Sequence, residues 1–184
     1  HVHTTMEAGK FSFRSGQVMA SADEIYMTVK GKGGHAASPH LTVDPILISS
    51  HLVIALQQLI SRNNNPFNPT VLSITSFTGG NTTNVIPNEV KLMGTFRSMD
   101  ESWRFKAHEL IEQQARAIAA GLDAEIDFRI DVGYPSVYHH EGLNLIAKNL
   151  AQTFMGEERV EDTELRMGAE DFGYYSQHIP GCFY

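Results

Sequence analysis

The segment Gly31-Lys32-Gly33-Gly34-His35-Ala36-Ala37-Ser38-Pro39-His40 is the most unusual stretch of the chain. Small residues around His35 let backbone and a ligand approach closely. A histidine held there can donate a hydrogen bond to negative charge developing on a reacting oxygen. The segment fails as a Walker motif, because Gly-Lys comes first and no Ser or Thr follows the lysine. Spacing alone leaves two readings open: a catalytic histidine in a close-packed loop, or a glycine turn carrying an incidental surface histidine. His40, after Pro39 and before a helix, reads as structural.

Asn84 in Asn-Val-Ile-Pro and Arg97 in Gly-Thr-Phe-Arg-Ser form a second group. An amide and a guanidinium near a sheet end can bind a carboxylate, the guanidinium bidentately. Turn chemistry for Asn84 and a surface charge for Arg97 are the plainer alternatives. Gly168-Ala169-Glu170-Asp171-Phe172 sets two carboxylates beside a glycine. They could be ligands, acid and base groups, or the N-terminal charges of a short helix. His1 and His3 would point to one side of a strand, so one metal could see both, but spacing alone favours an exposed chain end. His139 and His140 precede a helix and are expected to be exposed. Cys182 reads as a small core residue rather than a nucleophile.

The rest of the chain narrows the chemistry. It has 184 residues, with 14 basic against 21 acidic side chains and a net charge of −7. That balance argues against a general nucleic-acid binder. One cysteine excludes a disulfide framework and a Cys-rich zinc module. No apolar run reaches membrane-spanning length. The opening His-Val-His has no initiator Met and no charged-then-apolar leader, which in a fragment says little about compartment; the cytoplasm is the default expectation. The chain reads as a fragment of something longer.

Four segments alternate in the manner of half-buried strands: 22–30, 70–78, 89–97 and 124–132. Two helices intervene. The first, 44–62, has Asp44 as N-cap, Pro45 at its first position and a stripe of Ile46, Leu52, Val53, Leu56, Leu59 and Ile60. The second, 101–120, is capped by Asp100 and closed by Gly121 as its C′ residue. The order β-α-β-β-α-β is the α+β, ferredoxin-like split βαβ arrangement. A third helix, 140–155, should turn Leu143, Ile146, Leu150 and Phe154 inward. Residues before 20 and after 135 fall outside this pattern and lack partners for a core of their own. The strand at 70–78 carries no Lys, Pro or acid to discourage edge pairing. A two-fold dimer is therefore expected to continue the sheet there and to pack helices through Ile48, Leu52 and Leu59.

Taken in order, the strings His1-Val2, Met19-Ala20-Ser21-Ala22-Asp23, Lys30-Gly31-Lys32-Gly33-Gly34-His35-Ala36, Pro39-His40, Asp44-Pro45, Ser61-Arg62-Asn63, Asn84-Val85-Ile86-Pro87, Gly94-Thr95-Phe96-Arg97 and Gly168-Ala169-Glu170-Asp171-Phe172 resemble the co-catalytic metallo-amidohydrolases and carboxypeptidases. That family includes hippurate, N-acyl-amino-acid and auxin-conjugate hydrolases. The resemblance implies an inserted ferredoxin-like lid and dimerisation domain at 21–133. It implies catalytic-domain segments, incomplete here, of α/β type at 1–20 and 134–184. It assigns His1 to the metal site and makes His35 the lid histidine that steadies a tetrahedral intermediate in the partner's site. Asn84 and Arg97 match positions at the substrate's carboxylate end, and Gly168 and Glu170 belong to a loop lining the pocket. The implied cofactors are two divalent ions in the parent, zinc or manganese first and cobalt or nickel acceptable. The Cys-Gly-His-Asp segment, the paired glutamates and the last metal histidine of the family have no counterpart in this chain, so no complete metal site is expected in it. The expected partners are a second copy, through the lid, and a small N-acyl amino acid or peptide; no nucleic acid and no membrane are expected. The alternative is a non-enzymatic dimerisation module of ferredoxin-like fold.

Overall fold

The computed structural model describes residues 6–184. In chain order the strands are β1 (Phe11–Phe13), β2 (Gly16–Met19), β3 (Asp23–Lys30), β4 (Gly34–His35), β5 (Thr70–Thr78), β6 (Val85–Ile86), β7 (Glu89–Ser98), β8 (Glu125–Val132), β9 (Val137–His139) and β10 (Val160–Asp162). The α-helices are α1 (Pro45–Gln58), α2 (Glu101–Gly121), α3 (Glu141–Met155) and the short α4 (Phe172–Ser176). The described residues form two compact units, one of residues 23–133 and one of residues 6–22 with 134–184.

The 23–133 unit is an antiparallel sheet in the order β5-β7-β3-β8, with α1 and α2 packed on it. The strand alternation sets the layers. Ile25, Met27 and Val29 of β3 and Val90, Leu92 and Phe96 of β7 turn to one face, where they meet Ile48, Leu52 and Leu56 of α1 and Ala107, Ile111, Ala115 and Ala119 of α2. Each large apolar side chain so buried contributes roughly 1.5–3 kcal/mol. The Asp44 carboxylate caps α1 by accepting from the Ile46 and Leu47 amides at 2.9 and 3.3 Å. The Asp100 carboxylate caps α2 through the Trp103 amide at 3.0 Å.

Three local expectations change. The first helix does not run evenly to 62: α1 ends at Gln58, and Leu59–Asn63 widens into a π turn. Its start is rotated from the expected stripe, so Ile48 and Ser49 are buried while Ile46 is exposed. The second helix is not closed by Gly121 in a left-handed conformation. Gly121 still belongs to α2, and Asp123 takes the positive φ of 58°. The Ala124 amide then returns to the Ala119 carbonyl at 2.9 Å.

The other unit pairs β1 with β10 in parallel and β2 with β9 antiparallel. Contrary to the expectation that these segments lack partners, Phe13, Val18, Ala20, Val137 and Val160 are buried. Helix α3 sits the other way round from its expected orientation. Leu143, Ile146, Leu150 and Phe154 are exposed, and Asn144 is its buried residue. The reason is polar: Asn144 donates to Ser15 Oγ at 2.9 Å and accepts from the Cys182 thiol at 3.3 Å. Lys148 pairs with Asp162 on β10 at 2.6 Å. These bonds fix the docked face, and the apolar stripe follows outward. Among the described residues no helix is long and apolar enough to cross a membrane.

Candidate functional site

The site is built around the loop that follows β3, within the 23–133 unit. Its glycines are required by packing. A Cβ on Gly31 would stand 2.2 Å from the Val43 carbonyl oxygen, and one on Gly33 would stand 2.5 Å from the Ile86 carbonyl oxygen. Side chains there cannot be accommodated without moving backbone. The loop is therefore pressed between residues 42–43 and the β6 segment, which settles why it is rich in glycine without any phosphate role. The Gly31 amide donates to the Asn88 carbonyl at 2.8 Å, and the Gly33 amide to the Asn88 side chain at 2.9 Å. β4 then pairs antiparallel with β6, setting His35 opposite Val85.

This arrangement brings His35 and Asn84 together. The Ala36 amide donates to the Asn84 carbonyl at 3.0 Å. Both residues are exposed. The imidazole is oriented by its own loop: the Ala37 amide donates to His35 Nδ1 at 3.1 Å. A backbone N–H can only donate, so Nδ1 bears the lone pair and the ring proton of the neutral imidazole sits on Nε2. His35 thus presents a hydrogen-bond donor on an exposed loop, which is what stabilising an oxyanion needs.

Arg97 is not brought to this place. It lies near the end of β7, paired with Val71 of β5, whereas His35 follows the end of β3 where Lys30 pairs with Glu89. The eight steps along β7 from Glu89 to Arg97 span roughly 26 Å at about 3.3 Å each. Arg97 is half-buried on the sheet face opposite the helices. One copy of the chain cannot apply His35 and Arg97 to the two ends of one small ligand.

In the other unit, Gly168 accepts the Ala20 amide through its carbonyl at 3.1 Å, and a Cβ on it would lie 3.4 Å from Met19 Cε. Glu170 Oε1 accepts from the Asp171 amide at 3.1 Å, and the Glu170 carbonyl accepts the Gly173 amide at 3.1 Å. The Gly168–Glu170 segment is thus held as the turn entering α4. His1 and His3 lie outside the described residues. Among those described, no three His, Cys, Asp or Glu side chains stand close enough to hold a metal ion. The described residues by themselves do not fit a metal centre.

His139, expected to be exposed, is 1% exposed. Its Nδ1 donates to the Arg14 carbonyl at 2.8 Å, and burial pushes its pKa below the ordinary 6.5. The adjacent His140 stays exposed and caps α3, accepting the Leu143 amide at Nδ1. Cys182 is half-buried rather than in the core, and burial raises its thiol.

The residues that sequence reasoning passed over are Asp23, Arg104 and His108. The Asp23 carboxylate is fully buried and accepts from Arg104 Nε at 2.8 Å, His108 Nε2 at 2.9 Å and the Gly133 amide at 3.0 Å. Burial alone would raise its pKa. The bonds from Arg104 and His108, with the Arg104 charge, outweigh burial and hold it below 3.8. A signal existed: Asp23 is in phase with Ile25, Met27 and Val29, and Arg104 is in phase with Ala107, Ile111 and Ala115. Opposite charges on two facing apolar stripes mark a buried pair.

Comparison with known proteins places this geometry in a family. Residues 21–125 match the M20 family's peptidase dimerisation domain. The chain is 39% identical over its whole length to the Bacillus subtilis (strain 168) protein YhaA, named as an amidohydrolase, of which it covers 46%. It is 34% identical, again over its whole length, to the Arabidopsis thaliana IAA-amino acid hydrolase ILR1-like 4, of which it covers 42%. The chain thus spans less than half the length of these curated relatives. Among solved structures, one described as an aminohydrolase from methicillin resistant Staphylococcus aureus superposes with a TM-score of 0.89 at 30% identity, covering 100% of this chain and 48% of that one. The Bacillus subtilis YXEP protein, a dinuclear metal binding peptidase from the M20 family, superposes with a TM-score of 0.75 at 27% identity, covering 98% of this chain and 45% of that one. The ferredoxin-like sheet, the glycine-packed histidine loop and these matches lead to one assignment: the chain belongs to the M20 family of peptidases and amidohydrolases, and it carries that family's dimerisation domain.

Proposed function

We propose that this chain is part of a metal-dependent amidohydrolase that cleaves the amide bond of an N-acyl amino acid or small peptide, and that it acts as a homodimer through the 23–133 unit. The observation that carries the reading is the orientation of His35. Its Nδ1 is engaged by the Ala37 amide, so the proton of the neutral ring sits on Nε2, on an exposed loop of a dimerisation domain.

In this reading the substrate carbonyl gains negative charge during attack, and His35 Nε2–H donates to that oxygen. Asn84, beside His35, donates its side-chain amide to the substrate. Arg97 grips the terminal carboxylate with its planar fork. Because His35 and Arg97 lie at opposite ends of the β3–β7 ladder, they meet one substrate only when contributed by different subunits. Gly168 and Glu170, in the turn entering α4, are substrate-contacting residues in this reading. The two divalent ions, zinc or manganese foremost, would take ligands outside the described residues, His1 among them; when bound they supply an activated water and polarise the carbonyl.

The dimer has a sequence-level rationale. Of the two edge strands, β8 carries Glu125, Asp127, Arg129 and Asp131, which discourage pairing, while β5 carries none. The helix surface available beside β5 differs from the expected one. Ile48, Leu52 and Leu59 are consumed by the chain's own core, and Leu47 and Ile54, 58% and 73% exposed, remain for a second copy.

Hydrolysis of N-acyl amino acids by the longer protein, purified with its metal measured, tests the reading. Turnover with about two metal ions per chain is expected. A pure dimerisation module, favoured only by the unprotected β5 edge, would bind no stoichiometric metal and release no amino acid.

A further inference from the structure

We infer that Asp23 and Arg104 are positioning residues that lock the two chain crossings of this molecule into a single connection. The chain passes between its compact units twice, at 22–23 and at 133–134. The residues on the 23–133 side of those crossings are Asp23 and Gly133, and both are held by one buried cluster.

Asp23 and Arg104 are each 1% exposed. The Asp23 carboxylate accepts the Gly133 amide at 3.0 Å, Arg104 Nε at 2.8 Å, Arg104 Nη2, and His108 Nε2 at 2.9 Å. Arg104 Nη2 also donates to the Gly133 carbonyl at 3.0 Å, and Nη1 donates to Glu101 at 2.8 Å. Both backbone polar groups of Gly133 are therefore satisfied by the Asp23–Arg104 pair. On the far side of the crossings the Ala22 amide donates to the Tyr134 carbonyl at 3.0 Å.

The β3–β8 ladder ends at Asp23 opposite Val132, one residue before Gly133. A buried ion pair is a poor way to add net stability, since desolvation offsets its attraction. Its strength is direction: a guanidinium fork on a carboxylate fixes both groups in one plane. Here that fork ties the incoming chain, the outgoing chain and the first turns of α2 to one another. The two crossings cannot splay apart independently. This assignment stands whether or not the proposed hydrolase activity does.

Amide hydrogen exchange on the whole 184-residue chain, followed residue by residue by NMR, tests it. In the unmodified chain the Gly133 amide should be protected about as strongly as the mid-ladder amides of β3 and β8. Asp23→Asn, which keeps shape but removes the charge, should speed Gly133 exchange about tenfold or more beyond any change at mid-ladder amides. Arg104→Lys, which keeps charge but loses the fork, should do the same. Free-peptide exchange at Gly133 in the unmodified chain would overturn the assignment outright, even if neither variant folds. Equal acceleration at Gly133 and mid-ladder amides would also overturn it, because the pair would then serve only global stability.

Discussion

His35 and Arg97 stand at opposite ends of the same antiparallel ladder, one beyond the Lys30–Glu89 pair and the other beside the Asp23–Phe96 pair. The separation is a consequence of strand length and cannot be closed by rotating side chains. Any reaction that uses both residues on one small substrate needs two copies of the chain, which couples the proposed activity to dimerisation.

The two faces of α1 should respond differently to substitution. Ile54 is 73% exposed, whereas Leu52 is 1% exposed. Ile54→Asp should convert the proposed dimer to a monomer with little change in melting temperature, as read by light scattering and calorimetry. Leu52→Ala should cost about 2–5 kcal/mol of stability by opening a core cavity. A monomerising Leu52→Ala with unchanged stability would place the wrong face outward.

The His35 tautomer is open to direct observation. Nitrogen-15 NMR of the neutral ring should show Nδ1 without a proton and Nε2 protonated, because the Ala37 amide donates to Nδ1. Ala37→Pro removes that donor and should let both tautomers populate. Protonated Nδ1 in the unmodified chain would remove the donor geometry on which the oxyanion role rests.

Asp23 should shape the acid limb of stability. Its folded pKa lies below the ordinary 3.8. The unfolded chain therefore takes up the proton first as pH falls. The Asp23 contribution is fully present above the unfolded value and is lost as pH drops through it toward the folded one. Melting temperatures between about pH 6 and about pH 2 should fall less steeply for Asp23→Asn than for the unmodified chain. Parallel curves would show that the folded and unfolded chains bind this proton equally well, which contradicts a lowered pKa.

Helix α3 offers a test of which face is docked. Asn144→Ala breaks bonds to Ser15 and Cys182 and should cost about 1–2 kcal/mol. Leu150→Ala, at a residue 65% exposed, should change the stability of this chain by less than about 0.5 kcal/mol. Urea unfolding of the two variants compares them, and the reverse order would mean that the apolar stripe is buried after all.

What the sequence carried, and what it did not, follows from the range of the interactions. Strand alternation at Ile25, Met27 and Val29, and caps at Asp44 and Asp100, are local signals, and the sheet and both its helices follow from them. Helix α3 was misread because apolar periodicity marks a stripe without saying which side the helix docks; Asn144, with partners 129 and 38 residues away, decided it. His139 was misread for the same reason, its burial arising from pairing with β2 far upstream. The site followed the same rule. The closeness of His35 and Asn84 depends on the β4–β6 pairing, and the distance of Arg97 depends on the register of β7, neither of which a motif reveals.

The most direct test of the account uses two inactive variants of the longer protein, His35→Ala and Arg97→Ala, purified separately and then allowed to exchange subunits. Each mixed dimer would hold one site with both residues intact and one with neither. Random exchange makes about half the dimers mixed, so turnover of an N-acyl amino acid should recover to about a quarter of the unmodified value. A mixture that stays inactive although mass spectrometry shows mixed dimers would contradict a site shared between subunits, and with it the reading of His35 and Arg97 as partners on one substrate.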